Sequence, residues 1–413
     1  MSPAVMSLLA LAVVIGFSLT ARVNIGVLAV ALAWPIAVFA AGWKAEALLA
    51  AFPSSLFLTL VGVTLLFGVV QRNGTLEALA RRAVRLCGGR AALLPVVFFL
   101  MAGVLSSIGP GAIAATALIA PLAMGIGHRA GVSAFLTALM VANGANAGNL
   151  SPISSVGLIM HTQMQKAGLP GHDGQVFAAA FVAHTVVALA AYFLFGGLKL
   201  FRAGRGQVGE RPPAFTGSQW FSLGVLASWI AAVVFLRVNP GLSAFAAASV
   251  LIVAGALDDT RAFASIPWAV IVTVSGVSVL IAVLEKTGGM DLFTTLLANV
   301  ATPATANGTM AFCTGMISTY SSTSGVVYPA FIPAVAGFVE KLGGGDPLQV
   351  ALSIGVGAMI VDVSPLSTIG ALAIAARPEG ENERALFRKM LLWGFAMTVV
   401  GALFCQFFIR FFA

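Results

Sequence analysis

A single acidic side chain lies inside an apolar run of this 413-residue sequence, at Asp362 in the run 348–375. No Lys or Arg lies in the interior of such a run. An ionised carboxylate at membrane depth costs about 3 kcal/mol or more unless it has a partner, so Asp362 is predicted to bind a cation or carry a proton. The alternative is a helix cap, because Asp before Ser364-Pro365 favours a helix start. Both roles are compatible.

The same pattern occurs earlier, since residues 149–157 (Asn-Leu-Ser-Pro-Ile-Ser-Ser-Val-Gly) match 362–370 (Asp-Val-Ser-Pro-Leu-Ser-Thr-Ile-Gly). Amide, hydroxyl, carboxylate and carbonyl oxygens are ligands for hard cations such as the sodium ion, and unwound Gly-rich turns expose carbonyls. For each Ser or Thr, a bond to a helix carbonyl is an equal alternative. We predict one cation cage in each half, formed by Ser106, Gly109, Gly111, Asn146, Gly148 and Asn149, and by Ser321, Thr323, Ser324, Asp362 and Ser364.

Hydroxyl side chains follow each Ser-Pro pair, where the second half of an interrupted helix begins. Helix N-termini carry partial positive charge and free N–H groups, so they bind anions without Arg or Lys. Two matched half-sites would suit a small anion with two charged ends. The alternative is that these hydroxyls only cap the half-helices. The predicted anion ligands are Ser154, Ser155, Ser367 and Thr368.

The composition indicates which elements carry these residues. Apolar residues make up 59% of the chain and charged residues 9%, with a mean hydropathy of +1.01, which excludes a soluble globular protein. At about 20 residues per span, the length allows roughly ten to twelve membrane elements. The net charge of +8 comes from basic residues in loops, where they orient a chain in a bilayer, so the partner is lipid and not nucleic acid.

Four apolar runs are interrupted by polar, Gly-rich or Pro-containing segments. The runs 92–126 and 304–338 are too long for one crossing and contain polar centres at 106–111 and 318–325, which predicts re-entrant hairpins. Two full crossings are the alternative for each. The runs 132–160 and 348–375 are predicted to be helices broken at 143–152 and 362–365.

The sequence contains an internal duplication. Residues 52–79 align without gaps on 266–293. The broken segments occupy matching places in both copies, so we predict a first repeat at 1–200, a cytoplasmic linker at 201–218 and a second repeat at 219–413. The identical pairs in the alignment are Pro53/Pro267, Thr59/Thr273, Gly62/Gly276, Val63/Val277, Leu66/Leu280, Val69/Val283 and Gly74/Gly288.

The predicted fold is an all-α polytopic membrane protein with two inverted repeats. If each long broken run is a hairpin, each repeat has five transmembrane helices plus one hairpin, and the odd number inverts the second repeat. Basic residues favour cytoplasmic loops, which places both termini outside. Only six of the 22 Lys and Arg residues then lie outside, namely Lys44, Lys166, Arg237, Lys286, Lys341 and Arg410.

These hairpins and the segment 146–154 (Asn-Ala-Gly-Asn-Leu-Ser-Pro-Ile-Ser) resemble the ion-transporter superfamily that includes the divalent anion:sodium symporters. Within it, the segment is most similar to the bacterial malonate and dicarboxylate carriers. The resemblance implies an elevator mechanism, a homodimer in the bacterial inner membrane and sodium-driven uptake of a dicarboxylate. By position, it implies that the hairpin tips contact substrate and sodium, through Ser107, Gly111, Ala112, Ser322 and Thr323.

The expected function is therefore cation-coupled transport of small dicarboxylates such as malonate or C4-dicarboxylates, with Na+ as coupling ion and no organic cofactor. Proton coupling through Asp362, or transport of an inorganic oxyanion, is the alternative within the same fold. An intramembrane enzyme is not expected, because Ser324-Gly325 lacks the flanking Gly and a His of a serine protease, and no His-Glu-x-x-His motif occurs. A channel remains a further alternative, which single-channel current would reveal.

Overall fold

The computed structural model describes residues 1–18, 23–85, 90–202 and 213–413. Within these ranges every regular element is helical, which confirms the all-α prediction. The first half comprises α1 (Pro3–Ser18), α2 (Ile25–Pro35), α3 (Ala45–Leu49), α4 (Ser54–Arg72), α5 (Thr75–Arg85), α6 (Leu94–Ser107), α7 (Gly111–Arg129), α8 (Ala134–Gly148), α9 (Ser155–Lys166) and α10 (Asp173–Leu194).

The second half contains helices in a similar order. Each half also contains a π-helical turn. In the first half, Ile36–Ala40 extends α2, and in the second half, Thr323–Val327 leads into α17. The helices are α11 (Gly217–Phe235), α12 (Pro240–Val253), α13 (Asp259–Phe263), α14 (Trp268–Lys286), α15 (Gly289–Ala298), α16 (Ala306–Tyr320), α17 (Tyr328–Phe331), α18 (Val335–Leu342), α19 (Pro347–Ile360), α20 (Thr368–Ala375) and α21 (Glu383–Phe408).

Several helices have the length and apolar composition of membrane spans. In the described part of the chain, five qualify, namely α4, α7, α10, α14 and α21, and a sixth results if the pair Thr323–Phe331 and Val335–Leu342, bent by 45°, counts as one span. Shorter apolar helices of 10–17 residues, including α1, α12 and α19, lie among them. The chain is therefore a polytopic membrane protein.

The helices break in all four interrupted runs. The break between α6 and α7 covers 108–110, and α16 ends just before residues 321–322. The break after α19 covers 361–367. The break after α8 covers only 149–154, so the predicted unwinding from residue 143 is too long.

Close helix packing explains why α8 stays helical as far as Gly148. A Cβ on Gly144 would lie 2.2 Å from the carbonyl oxygen of Phe99, and one on Gly148 would lie 2.1 Å from that of Gly103. The two glycines therefore let α8 and α6 approach backbone to backbone, and this packing favours a regular helix over the unwound turn that their composition suggested.

Helices α4 and α14, which lie in the two aligned segments, have equal lengths and similar backbone dihedral angles at both ends. Helices α4 and α14 are both 19 residues long, and each follows a proline with nearly equal dihedral angles (φ −80°, ψ 68° at Pro53; φ −79°, ψ 66° at Pro267). A glycine with φ near +80° follows each helix, at Gly74 and Gly288. The sequence similarity of these segments therefore corresponds to structural similarity.

Two helix pairs join the first half of the chain to the second half. Helix α2 packs on α14, and α12 packs on α4. A Cβ on Gly276 would lie 2.2 Å from the carbonyl oxygen of Gly26, and one on Gly62 would lie 2.3 Å from that of Gly241. Each pair joins a helix of one half to a helix of the other, so neither half packs independently.

Helices α4 and α14 also meet at one end. The Arg72 guanidinium donates a hydrogen bond to the Ala264 carbonyl oxygen at 3.4 Å. A Cβ on Gly68 would lie 1.8 Å from Oγ of Ser265. The C-terminal end of α4 therefore lies beside the segment that leads into the N-terminus of α14.

Candidate functional site

A cavity of about 650 Å³ lies where the four helix breaks converge. Its lining includes the first residues of α7, of α9, of the π-helical turn Thr323–Val327 and of α20. Four helix N-termini therefore reach the same space. Asp362 is the only ionisable residue among the described residues that line it. Predicted site residues in the lining are Gly111, Ala112, Asn149, Ser155, Ser321, Ser322, Thr323, Ser324, Asp362, Ser367 and Thr368.

The first half-site joins the break between α6 and α7 to the break after α8. Oδ1 of Asn149 accepts a hydrogen bond from the Ala112 N–H at 2.9 Å, and the Ser155 N–H donates to the Gly109 carbonyl oxygen at 3.0 Å. Gly111 has φ +77°, and a Cβ there would lie 2.7 Å from Oγ of Ser155. Glycine is therefore required at this contact by both its backbone angle and the available space.

The second half-site places a carboxylate among hydroxyl groups. The Thr323 hydroxyl oxygen lies 2.9 Å from both carboxylate oxygens of Asp362, and the Ser318 hydroxyl donates to Oδ1 at 3.4 Å. Ser318 and Thr323 also form a hydrogen bond with each other. Asp362 is only 8% exposed. The cluster therefore joins the end of α16, the following π-helical turn and the break after α19.

The serine after each Ser-Pro pair caps the following half-helix. Ser154 Oγ donates to the Asn149 carbonyl oxygen at 2.5 Å and accepts from the Gly157 N–H at 2.9 Å. Ser367 Oγ makes the same contacts, with the Asp362 carbonyl oxygen and the Gly370 N–H. These contacts correspond to the capping alternative for both residues, although Ser367 also lines the cavity.

The remaining predicted residues lie outside the cavity lining. The Ser107 hydroxyl donates to the Gly103 carbonyl oxygen at 2.8 Å, and Gly148 packs against these same residues. Gly109 lies against the ring of Phe67, and Ser364 packs against Gly394. Ser106, Asn146 and Ser154 also lie outside the lining.

Several buried polar atoms near the breaks have no partner. Within the described ranges, no hydrogen bond is made by Oγ of Ser106, Oγ of Ser321 or either amide atom of Asn146. Buried polar atoms normally have a partner, so these atoms retain capacity for a ligand. The Asp362 cluster itself consists of carboxylate and hydroxyl oxygens, which are the ligand type that a hard cation such as Na+ prefers.

Part of the cavity wall was not predicted from the sequence. Helix α4 contributes Thr64, Phe67, Gly68 and Gln71, and residues in and before α14 complete that wall. The polar residues in α4 are the only sequence signal, because they interrupt an otherwise apolar run. That signal does not tell which face of a straight helix borders a cavity.

Two solved transporters share this fold. The YdaH transporter from Alcanivorax borkumensis, described as having an unusual topology, aligns with a TM-score of 0.62 and 16% identity, covering 88% of this chain and 87% of that chain. MtrF from Neisseria gonorrhoeae, described with a class of antimetabolite efflux pumps, aligns with a TM-score of 0.58 and 16% identity, covering 86% and 81%. The architecture is therefore one found in membrane transporters.

A family model gives a more particular similarity. Residues 1–149 match the model for the N-terminus of the dicarboxylate carrier protein MatC. Comparison with curated proteins gives no match. The family match and the shared fold together indicate a non-enzymatic membrane carrier.

Proposed function

We propose that this protein is a cation-coupled secondary transporter of small dicarboxylates, such as malonate or C4-dicarboxylates, with sodium as the cation. The observation that carries the proposal is the cavity at the four helix breaks, which combines four helix N-termini with a single buried carboxylate. The similarity of residues 1–149 to a dicarboxylate carrier model supports the choice of substrate class.

The helix N-termini supply the positive potential for an anion. A helix N-terminus carries roughly half a positive charge and therefore attracts an anion. The hydroxyl groups of Ser155 and Thr368, one from each half, line the same cavity. Two carboxylates of one small molecule would each face one half-site, which favours a dicarboxylate over a monocarboxylate.

Asp362 explains why a cation is needed. Its negative charge lies in the cavity wall and would repel a dianion in the absence of a compensating charge. Sodium held by the oxygens of Asp362, Thr323 and Ser318 would supply that compensating positive charge. Substrate affinity would then depend on the cation, which couples the two gradients.

The proposed movement is of the elevator type. The two hairpins and the two broken helices would form the moving unit, and α1, α2, α4, α11, α12 and α14 would form the scaffold. The repeats would be inverted, with the bounds 1–200 and 219–413; residues 203–212 of the linker between them lie outside the described ranges. We further propose a homodimer in the bacterial inner membrane.

Uptake into proteoliposomes tests the function directly. Purified protein is reconstituted, and uptake of labelled malonate and succinate is measured under an imposed Na+ gradient, a proton gradient or neither. We expect uptake that requires Na+ and is lost in Asp362→Ala. Glu46→Ala is the matched control, because this exposed acid lies 18 residues along the chain from Thr64, the nearest cavity residue, and should leave uptake unchanged.

The same assay distinguishes the alternatives. Dicarboxylate uptake driven by a proton gradient and indifferent to Na+ would contradict sodium coupling. In that case Asp362→Asn should remove the dependence on pH, because it leaves no group at this position to carry the proton. Competition by sulfate or phosphate, with no uptake of either dicarboxylate, would instead indicate an inorganic oxyanion transporter.

A further inference from the structure

Most of the cavity wall on the scaffold side comes from one end of each of two matched helices, with Ile25 of α2 beside them. Helix α4 contributes Thr64, Phe67, Gly68 and Gln71, all in its C-terminal half. Helix α14 contributes Val270 and Thr273 near its N-terminus. Because these two ends lie beside each other, the cavity is next to one end of the α4/α14 pair only.

The gapless alignment of α4 on α14 identifies an equivalent surface at the other end. It pairs the four α4 wall residues, in order, with Ser278, Ile281, Ala282 and Glu285. We call these four residues the distal face of α14. None of them lines the cavity in this conformation.

The distal face contains a polar group without a partner. Ser278 is 2% exposed, and its Oγ makes no hydrogen bond within the described ranges. The matched hydroxyl, on Thr64, donates to the Leu60 carbonyl oxygen at 2.7 Å. Oγ of Ser275, one turn before Ser278, is likewise buried without a partner. A buried hydroxyl without a partner destabilises the protein, and a conformation that opens this face to water or substrate would relieve that cost.

The elements that pack near α14 explain why Ser278 and Ile281 are buried in this conformation, whereas Ala282 is partly exposed and Glu285 is exposed. Helix α17, in the second hairpin, packs on α14, whereas α9 packs on α4. These contacts belong to the hairpins and broken helices, which are the proposed moving unit. Movement of that unit along the scaffold would therefore uncover the distal face.

We infer that the distal face of α14 becomes the scaffold wall of the substrate cavity when the protein opens to the opposite side of the membrane. Inverted repeats permit this, because exchanging the roles of the two halves converts one conformation into the other. The inference rests on the proposed transport function, and it assigns Ser278 and Ala282 to a substrate path that they do not line in this conformation.

Sided thiol labelling tests the inference. Single-cysteine variants are made in the full-length protein after replacing Cys87, Cys313 and Cys405 by Ser, and variants that purify as monodisperse protein are used. A membrane-impermeant maleimide is applied to sealed vesicles of each orientation. The reporters are T64C for the present cavity wall and S278C and A282C for the distal face, with V283C as control.

The expected result is labelling of T64C from one side of the membrane and of S278C and A282C from the other. V283C should stay unlabelled, because Val283 is fully buried and aligns with Val69, which does not line the cavity. Labelling of S278C and A282C from the same side as T64C, or labelling no greater than that of V283C, would overturn the inference. Two reporters are used so that a folding defect in one does not remove the test.

The uptake assay separates this inference from the proposed function. If T64C and the distal-face reporters are labelled from opposite sides but no dicarboxylate is taken up, the inference about the distal face is supported and the proposed substrate class is wrong. If dicarboxylate uptake depends on sodium but S278C and A282C are labelled no more than V283C, the proposed function is supported and the inference about the distal face is wrong.

Discussion

Asp362 and Asn149 occupy matched positions in the two helix breaks, but their side chains bond differently. Oδ1 of Asn149 accepts a hydrogen bond from the backbone N–H of Ala112 in α7, whereas the Asp362 carboxylate faces the hydroxyls of Thr323 and Ser318. The Asn149 side chain has a single oxygen, and that oxygen already accepts a hydrogen bond from the backbone. We therefore expect the second half-site to bind the coupling cation more tightly, because it retains both charge and several hydroxyl oxygens.

The Gly111→Ala substitution tests the first half-site at the residue scale. Alanine at φ +77° costs about 1 kcal/mol or more, and its Cβ would lie 2.7 Å from Oγ of Ser155. We expect the start of α7 to move away from the break after α8, with a large loss of uptake and little loss of folded protein. Uptake in proteoliposomes and the yield of monodisperse protein measure the two effects.

Gly125→Ala is the matched control for this substitution. Gly125 lies in the same helix, α7, and a Cβ there would have no neighbour within 4 Å. It should be neutral or slightly stabilising, because alanine favours the helix. Equal uptake by both variants would show that the contact at Gly111 is unimportant for transport.

At the scale of elements, two helix pairs hold the halves together by close backbone contact. A Cβ in Gly276→Ala would lie 2.2 Å from the Gly26 carbonyl oxygen, so α2 and α14 would have to separate. Such overpacking costs about 1–3 kcal/mol, more than the gain of about 1 kcal/mol from alanine in a helix. We expect a lower unfolding temperature in detergent, measured by thermal unfolding.

Gly224→Ala in α11 is the control for this prediction, since a Cβ there would meet nothing within 4 Å. It should leave the unfolding temperature unchanged or raise it slightly. If Gly276→Ala unfolds at the wild-type temperature, the α2/α14 contact does not limit stability.

At the scale of the whole molecule, the distribution of basic residues predicts its orientation. Most Lys and Arg residues fall in loops of one side, so that side should face the cytoplasm. A short tag at either terminus should therefore be accessible to an impermeant label from outside intact spheroplasts. Tags that become accessible only after lysis would contradict this orientation and reverse the assignment of every loop.

The presence of each helix break was predictable from the sequence because it depends on local chemistry, although packing against α6 decided where α8 ends. Pro110, Pro152 and Pro365 cannot supply a backbone N–H, and the Ser and Asn residues beside them compete for helix hydrogen bonds. Asp362 stood out for a similar reason, since a lone acid in an apolar run is costly without a function. Neither argument needs knowledge of the distant parts of the chain.

The tertiary structure alone decided which residues share the cavity. Ser154 and Ser155 are adjacent in sequence, yet only Ser155 lines it, because Ser154 is fully buried by its packing. The α4 wall, including Thr64 and Gln71, was not predicted, since the face that a straight helix presents depends on its packing against distant helices. The sequence by itself thus determined where the chain breaks, and long-range packing decided which side chains meet there.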